Sequence, residues 1–189
     1  MLEITGPVKT ERLILRAFKA GDEEDAYAFE SRADVARYLY NEPRTREEIT
    51  RLMTERSAQT VLRREGDNIQ LAVEGDGTVI GYVLLTWVSE RHQQGEFGYV
   101  LHPDYHGRGF ATEAAVEMLR LGFDRLGLHW ITARCDARNT ASARVMERLG
   151  MRQEAHFIES EWVKGEWTSE LHYALLAPEW RASRWASNP

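Results

Sequence analysis

Apolar and polar positions follow two different periods along this chain. Leu13-Ile14-Leu15 predicts a first short strand. Ala20-Gly21-Asp22-Glu23-Glu24 then puts acidic side chains where a helix N-terminus favours them, leading through Ala26, Tyr27 and Phe29 into a helix that runs toward Tyr40. Thr45-Arg46-Glu47-Glu48 has the spacing of a capping box. Ile49, Leu52 and Met53 follow at helical spacing, which predicts a second helical segment up to about Gly66. From Ile69 the period becomes two: Ile69, Leu71 and Val73 alternate, Gly75-Asp76-Gly77 supplies a turn, and residues 79–88 are rich in β-branched and aromatic side chains. That pattern is a β-hairpin.

Residues 97–101 predict another strand, stopped by Pro103, and a glycine-bearing turn delivers the chain into a helix over 110–126 ended by Gly127. Residues 130–135 alternate as a strand. Asn139 is placed to cap a short helix whose Ser142, Val145, Met146 and Leu149 share one face before Gly150. Two further strands, 151–162 and 167–176, are joined across Lys164-Gly165-Glu166. The order predicts an α+β fold with helices packed on a mixed sheet. With no repeat and no Pro/Gly/Ser-rich linker, the expectation is one domain over 1–189, with a short C-terminal tail from about 178.

Composition narrows the function. Of 189 residues, 43% are apolar, enough to bury a substantial core, and 29% are charged, which excludes a disordered chain. No apolar run is long enough to span a bilayer, and Glu3 and Lys9 flank too little apolar sequence for a secretory signal, so the expected location is the cytoplasm. A formal net charge of -6 argues against a broad nucleic-acid surface but leaves room for a small anion in a local pocket. The lone Cys135, in a strand with Ile131 and Ala133 at alternate positions, reads as a core thiol, not a nucleophile. His92, His102, His106, His129, His156 and His172 have no partners at metal-ligand spacing, so no metal is expected.

The stretch His102-Pro103-Asp104-Tyr105-His106-Gly107-Arg108-Gly109-Phe110-Ala111-Thr112-Glu113-Ala114 is the most informative. Gly107 and Gly109 permit positive φ or close backbone approach, while Ala111 and Ala114 keep the helix start slim. Several N–H groups at that start lack intrahelical partners and the helix dipole is positive there, which suits a pyrophosphate. Arg108 adds a charge that can meet a further phosphate. Two glycines one residue apart also serve a plain strand-to-helix connection, so the residues alone leave both readings open. The stretch lacks the third glycine of the dinucleotide fingerprint and the Gly-Lys-Ser/Thr of a P-loop.

The run from His106 to Ala111 resembles the acyl-CoA pyrophosphate loop of the Gcn5-related N-acetyltransferases, Gln/Arg-x-x-Gly-x-Gly/Ala: Gly109 and Ala111 match, and His106 departs from the Gln or Arg. From Tyr105 to Ala114 the chain is similar to the version seen in the branch that acetylates ribosomal-protein N-termini. Thr10-Glu11-Arg12-Leu13-Ile14-Leu15-Arg16 resembles that branch's opening strand, and residues 139–151, from Asn139-Thr140-Ala141-Ser142 to Leu149-Gly150-Met151, resemble its second cofactor-side helix. The tail Tyr173-Ala174-Leu175-Leu176 with Glu179-Trp180 is similar as well.

The resemblance implies a mostly antiparallel twisted sheet with helices on both faces and a splayed central parallel strand pair. It implies acetyl-CoA as cosubstrate. Backbone groups of Tyr99, Val100 and Leu101 would meet the pantetheine arm, and the amides of Arg108, Gly109, Phe110, Ala111 and Thr112 would hold the pyrophosphate, with His106 and Gly107 shaping the loop. His106 reads equally as a loop-shaping, phosphate-proximal or surface residue. Direct transfer to an amine needs a proton acceptor, for which Glu96 is the candidate; it can also be a plain solvated strand-end carboxylate. Ser142 would donate to the departing thiolate or serve only its local backbone, and Asn139 would touch the pantetheine arm or only cap its helix.

Glu159, Glu161, Glu166 and Glu170 around Trp162 and Trp167 suggest either an acidic, aromatic rim for a cationic amine or charges that keep an edge strand from pairing. The acceptor implied by the branch is a protein N-terminal amine; polyamines, amino acids and antibiotics compete with it. A noncatalytic acyl-CoA sensor and a nucleic-acid adaptor are the rivals from other classes. The expected partners are therefore acetyl-CoA and an amine, with no nucleic acid and no membrane, in a monomer or homodimer.

Overall fold

The computed structural model describes residues 1–186. Two strands too short to leave a periodic signature, β1 (Leu2–Glu3) and β2 (Val8–Lys9), precede β3 (Ile14–Arg16). The helix expected to run to Tyr40 is instead two, α1 (Glu23–Glu30) and α2 (Ala33–Ala36). The break is local: the Ser31 hydroxyl donates to the Tyr27 carbonyl at 2.6 Å, and Arg32 is extended with φ -84° and ψ 134°. Side chains of this type compete with the helical ladder for backbone partners.

The capping box forms as expected on α3 (Arg46–Ser57): the Glu48 N–H donates to Thr45 Oγ1 at 3.3 Å, and the Thr45 N–H donates to the Glu48 carboxylate at 2.8 Å. Its other end falls short of the expected position. The helix stops at Ser57, not near Gly66, because Leu62 is buried in β4 (Val61–Leu62), which pairs with β1. β5 (Asn68–Gly75) and β6 (Thr78–Ser89) form the expected hairpin, with Asp76 and Gly77 at φ 51° and 78° as a two-residue turn requires. Next come β7 (Gln94–Leu101), a 3₁₀ turn Pro103–Tyr105, and α4 (Phe110–Arg120), which continues as a π turn over Leu121–Arg125. β8 (Trp130–Asp136), α5 (Thr140–Arg148), β9 (Arg152–Val163), β10 (Glu166–Leu176) and α6 (Ala177–Ala182) complete the described chain.

The main sheet has eight strands in the order β2-β3-β5-β6-β7-β8-β10-β9, antiparallel except for β7 and β8. On one face Phe18, Ala26, Phe29, Ile49 and Met53 pack on Ala72 and Val79; on the other, Ala115, Met118 and Leu119 of α4 join Leu71, Val83, Leu85 and Phe97. α6 docks through Trp180, which is fully buried, stacks on Phe123 at 5.7 Å and donates from Nε1 to Asp124 at 2.9 Å.

The feature that positions the site is the parallel pair. Only Gln94↔Trp130, Gly95↔Ile131 and Glu96↔Thr132 are in register. Beyond Glu96 the two strands diverge, and among the described residues the β8-facing edge of 97–101 has no strand partner.

Candidate active site

The gap opens at the end of β7 that leads into the glycine loop. Gly107 and Gly109 both adopt left-handed backbone, φ 75° and 85°, and Gly109 is the N-cap of α4 without a capping side chain. The N–H groups of Phe110, Ala111 and Thr112 therefore lie in a first turn that has no intrahelical carbonyl for them. His106 braces the loop: its Nε2–H donates to the Leu101 carbonyl at 2.9 Å and its amide to Pro103 at 3.0 Å. A cleft of about 590 Å³ is lined by Tyr99, Val100, Leu101, the loop and the cap region of α5. An apolar cleft ending in unpartnered amides at a helix N-terminus fits a long ligand with an apolar arm and a diphosphate.

On the other side of the gap lies a second chamber of about 280 Å³, lined by Tyr40, Tyr82, Glu96, Arg134, Cys135, Glu170 and neighbours. The two cavities share residues 37–39 as well as Tyr99, Val100, Asn139 and Ser142. At that junction the Tyr99 hydroxyl and Ser142 Oγ are 3.1 Å apart. Burial pushes the Tyr99 phenol above its usual range, against the opposing effect of the Ser142 hydrogen bond, so the hydroxyl keeps its proton at neutral pH. Asn139 caps α5, its Oδ1 accepting from the Ser142 N–H at 3.1 Å, which holds Ser142 in place.

A charged network walls the second chamber. Glu96 accepts from Arg134 Nε at 3.2 Å, and Arg134 also reaches Glu170 at 3.8 Å. Glu170 is buried and accepts from the Tyr40 hydroxyl at 2.6 Å and from His172 Nε2 at 3.1 Å. Although the Tyr40 ring is largely exposed, partial desolvation of its hydroxyl, with the Glu170 hydrogen bond adding to it, pushes Tyr40 up to about 12. Lys164, at the tip of the β9–β10 hairpin, donates to the Ala36 carbonyl at 2.6 Å. Tyr40 and Lys164 thus tie the 36–40 segment to the hairpin across the chamber.

Residues 12–152 match the family model described as an acetyltransferase (GNAT) domain. The chain belongs to the GNAT acetyltransferases. It is 32% identical to the Bacillus subtilis protein named uncharacterized N-acetyltransferase YnaD, over 92% of this chain and 98% of that one. It is 25% identical to the Escherichia coli spermidine N(1)-acetyltransferase over 89% and 88%. A solved GNAT-family acetyltransferase from Bacillus anthracis superposes with a TM-score of 0.81 at 32% identity, covering 92% of this chain and 99% of that one. A Vibrio cholerae spermidine N-acetyltransferase solved with CoA and spermine shares the fold, with a TM-score of 0.75 at 22% identity over 90% and 99%. The protein is an acetyl-CoA-dependent N-acetyltransferase of GNAT fold.

Within this GNAT fold the sequence-derived residues fall into three groups. Tyr99, Val100, Leu101, His106, Gly107, Gly109, Phe110, Ala111, Thr112, Asn139 and Ser142 all line the first cleft. Glu96 lines the second, across the junction. Arg108 is the exception: its guanidinium turns from the cleft, donating to the Asp104 carbonyl at 3.1 Å and lying 5.4 Å over the Tyr105 ring. The cations that do line the cleft are Arg37 and, on α5, Arg144 and Arg148, with Arg148 donating to Thr112 Oγ1 at 3.2 Å. For the last two, a separation of four residues on one helix was the available signal.

Of the acidic hairpin residues, Glu166 and Glu170 reach the second chamber, whereas Glu159 and Glu161 are not among its lining residues. Trp162 and Trp167 are exposed and pack edge-on against each other at 5.3 Å. Cys135 is half-buried and lines the chamber; burial pushes its thiol up to about 11, so it remains protonated. Among the described residues no helix is long and apolar enough to cross a membrane.

Proposed function

We propose that acetyl-CoA occupies the loop-side cleft and a primary amine the Glu96 chamber, and that acetyl passes directly between them at the junction. The observation that carries this reading is that two cavities meet where the β7–β8 ladder ends, with titratable side chains on both sides. The amides of 108–112 hold the diphosphate, and the edge of 97–101 that β8 leaves uncovered meets the pantetheine arm and polarises the thioester carbonyl. Glu96 takes the proton of the bound ammonium, and the freed nitrogen lone pair attacks the thioester carbon. The carbon–sulfur bond breaks with its electron pair on sulfur. Ser142 passes a proton to that sulfur, the Tyr99 hydroxyl 3.1 Å away resupplies Ser142, and the second proton that the nitrogen sheds as the amide forms restores Tyr99. Holding both substrates in line supplies much of the rate.

The acceptor carries one ammonium at its inserted end. Arg37, Arg134, Arg138 and Lys164 balance Glu96, Asp136, Glu166 and Glu170 in the chamber wall, so the wall has no net charge and a polycation gains no net attraction from it. This favours a protein N-terminal amine, the substrate of the ribosomal-protein branch, or a small monoamine. Polyamines are the second reading, supported by the likeness to spermidine N(1)-acetyltransferase. An amine panel of free-N-terminus peptides, monoamines and spermidine, followed by thiol release and product mass, tests both. Peptide or monoamine products are expected; acetylation of spermidine alone would remove the single-ammonium reading, and no amine-dependent thiol release would remove the transfer. Glu96→Gln is expected to lower kcat by about 10²-fold and to change the shape of its pH profile. An unchanged profile would eliminate Glu96 as the base.

A further inference from the structure

The diphosphate loop is poorly equipped to hold its own shape. Its two glycines are left-handed, and the N-cap of α4 has no side chain with which to fix the first turn. Glycine lowers the steric barrier to that conformation but equally permits others. His106 braces the loop at its Leu101 end, so a further group is needed to fix the turn that presents its amides.

That group lies about a hundred residues earlier in the chain. Arg12 Nη1 donates to the Arg108 carbonyl at 2.9 Å, inside the loop, while Nε and Nη2 donate to one Glu113 oxygen at 2.8 and 2.6 Å, in the first turn of α4. The other Glu113 oxygen accepts from the Arg12 amide at 2.8 Å and from the Thr10 hydroxyl at 2.5 Å. The guanidinium also lies 4.6 Å over the Phe110 ring. A β-carbon built on Gly109 would sit 3.3 Å from Arg12 Nη2, so the arginine packs directly beneath the turn.

From this we infer that Arg12 is a positioning residue for acetyl-CoA: it bridges the loop carbonyl of Arg108 and the Glu113 carboxylate, and so fixes the amides that receive the diphosphate. In a trans peptide the carbonyl and the following N–H point in opposite directions. Holding the Arg108 carbonyl on Arg12 therefore aims the Gly109 N–H away from Arg12, toward the cleft that Gly109 lines. Arg12 also neutralises Glu113, a carboxylate one turn from the anion site that would otherwise repel it. A lysine cannot make this bridge, because one ammonium lacks the planar fork that reaches two acceptors separately. The inference rests on the acetyl-CoA reading of the cleft but concerns a side chain outside it.

The test compares wild type, Arg12→Ala and Arg12→Lys by calorimetric titration with CoA, by steady-state kinetics, and by hydrogen exchange of the amides of 107–112 in the unliganded protein. Arg12→Ala is expected to weaken CoA binding about tenfold, equivalent to about 1.4 kcal/mol. The acetyl-CoA KM should rise in proportion, with kcat at saturation within about twofold and faster exchange confined to the loop. Arg12→Lys should recover less than half of the lost affinity. Circular dichroism and the unfolding midpoint establish that each variant is folded; if Arg12→Ala is not, Glu113→Gln, which keeps one of the two hydrogen-bond acceptors and removes the charge, is expected to show a smaller rise in KM with the same unchanged kcat. Failure of the wild type to bind CoA would sink the cleft assignment itself. Normal CoA binding by wild type and by Arg12→Ala alike, or full recovery by Arg12→Lys, would overturn the bridge alone.

Discussion

Replacing Gly109 with alanine tests whether the shape of the loop, and not merely its presence, sets acetyl-CoA affinity. Gly109 has φ 85°, a left-handed conformation that disfavours an L-residue by roughly 1–2 kcal/mol. The new methyl would also meet Arg12 Nη2 at 3.3 Å, tighter than ordinary contact, so the bridge must shift by a few tenths of an ångström. If the unliganded loop relaxes to escape that strain, binding has to restore it, and 1–2 kcal/mol corresponds to about a 5–30-fold rise in acetyl-CoA KM. Gly66 is the control, since its φ of 93° is equally left-handed, its added methyl meets nothing within 4 Å, and it does not line the cleft. Gly66→Ala should lower thermal stability by a similar amount and leave KM alone. Initial rates across an acetyl-CoA series, with thermal unfolding of both variants, decide the matter. A folded Gly109→Ala enzyme whose acetyl-CoA KM stays within twofold of wild type would refute the reasoning.

Three further outcomes follow from the same geometry. Tyr99→Phe and Ser142→Ala should each lower kcat, and their double variant should lose much less than the product of the single losses, because the two hydroxyls act as one relay; strict multiplicativity in a double-mutant cycle would separate them. Trp180→Ala should destabilise the fold by about 3–5 kcal/mol in urea unfolding, since the indole is fully buried and donates to Asp124; a loss below about 1 kcal/mol would make residues 177–182 an inessential appendage. Cys135, its thiol raised to about 11 by burial, is protonated well above neutrality, so alkylation by iodoacetamide should be slow at pH 7 and accelerate about tenfold per pH unit toward pH 10; fast alkylation at pH 7 would contradict the burial of this thiol.

The features legible in the sequence were those whose cause lies within a few residues. The Thr45–Glu48 capping box, the Asp76-Gly77 hairpin turn, the Asn139 cap and the left-handed glycines before α4 are each dictated by local hydrogen bonding or local sterics. The family likeness carried the rest of the cleft, because Tyr99, Asn139, Ser142 and the loop lie on elements whose order it implied. Even so, local pattern overextended α3, where burial of Leu62 claims the chain for β4, and it joined α1 to α2 across a serine that turns back on Tyr27.

What only the tertiary structure decided are the pairings between distant segments. Arg108 reads as a phosphate ligand by adjacency, yet its side chain folds back on Asp104 and Tyr105, while Arg144 and Arg148 approach the cleft from another helix. Tyr40 meets Glu170, Arg134 meets Glu96, and Arg12 meets Glu113 and the Arg108 carbonyl across separations of 130, 38 and about a hundred residues. Charged side chains carry no periodic mark of their partner, because an ion pair is selected by where the backbone brings two charges and by how much water is excluded between them. The sequence by itself thus determined most of the longer elements, the glycine loop and the family; the fold alone determined where α3 ends, which charges face the cleft and which pair behind it.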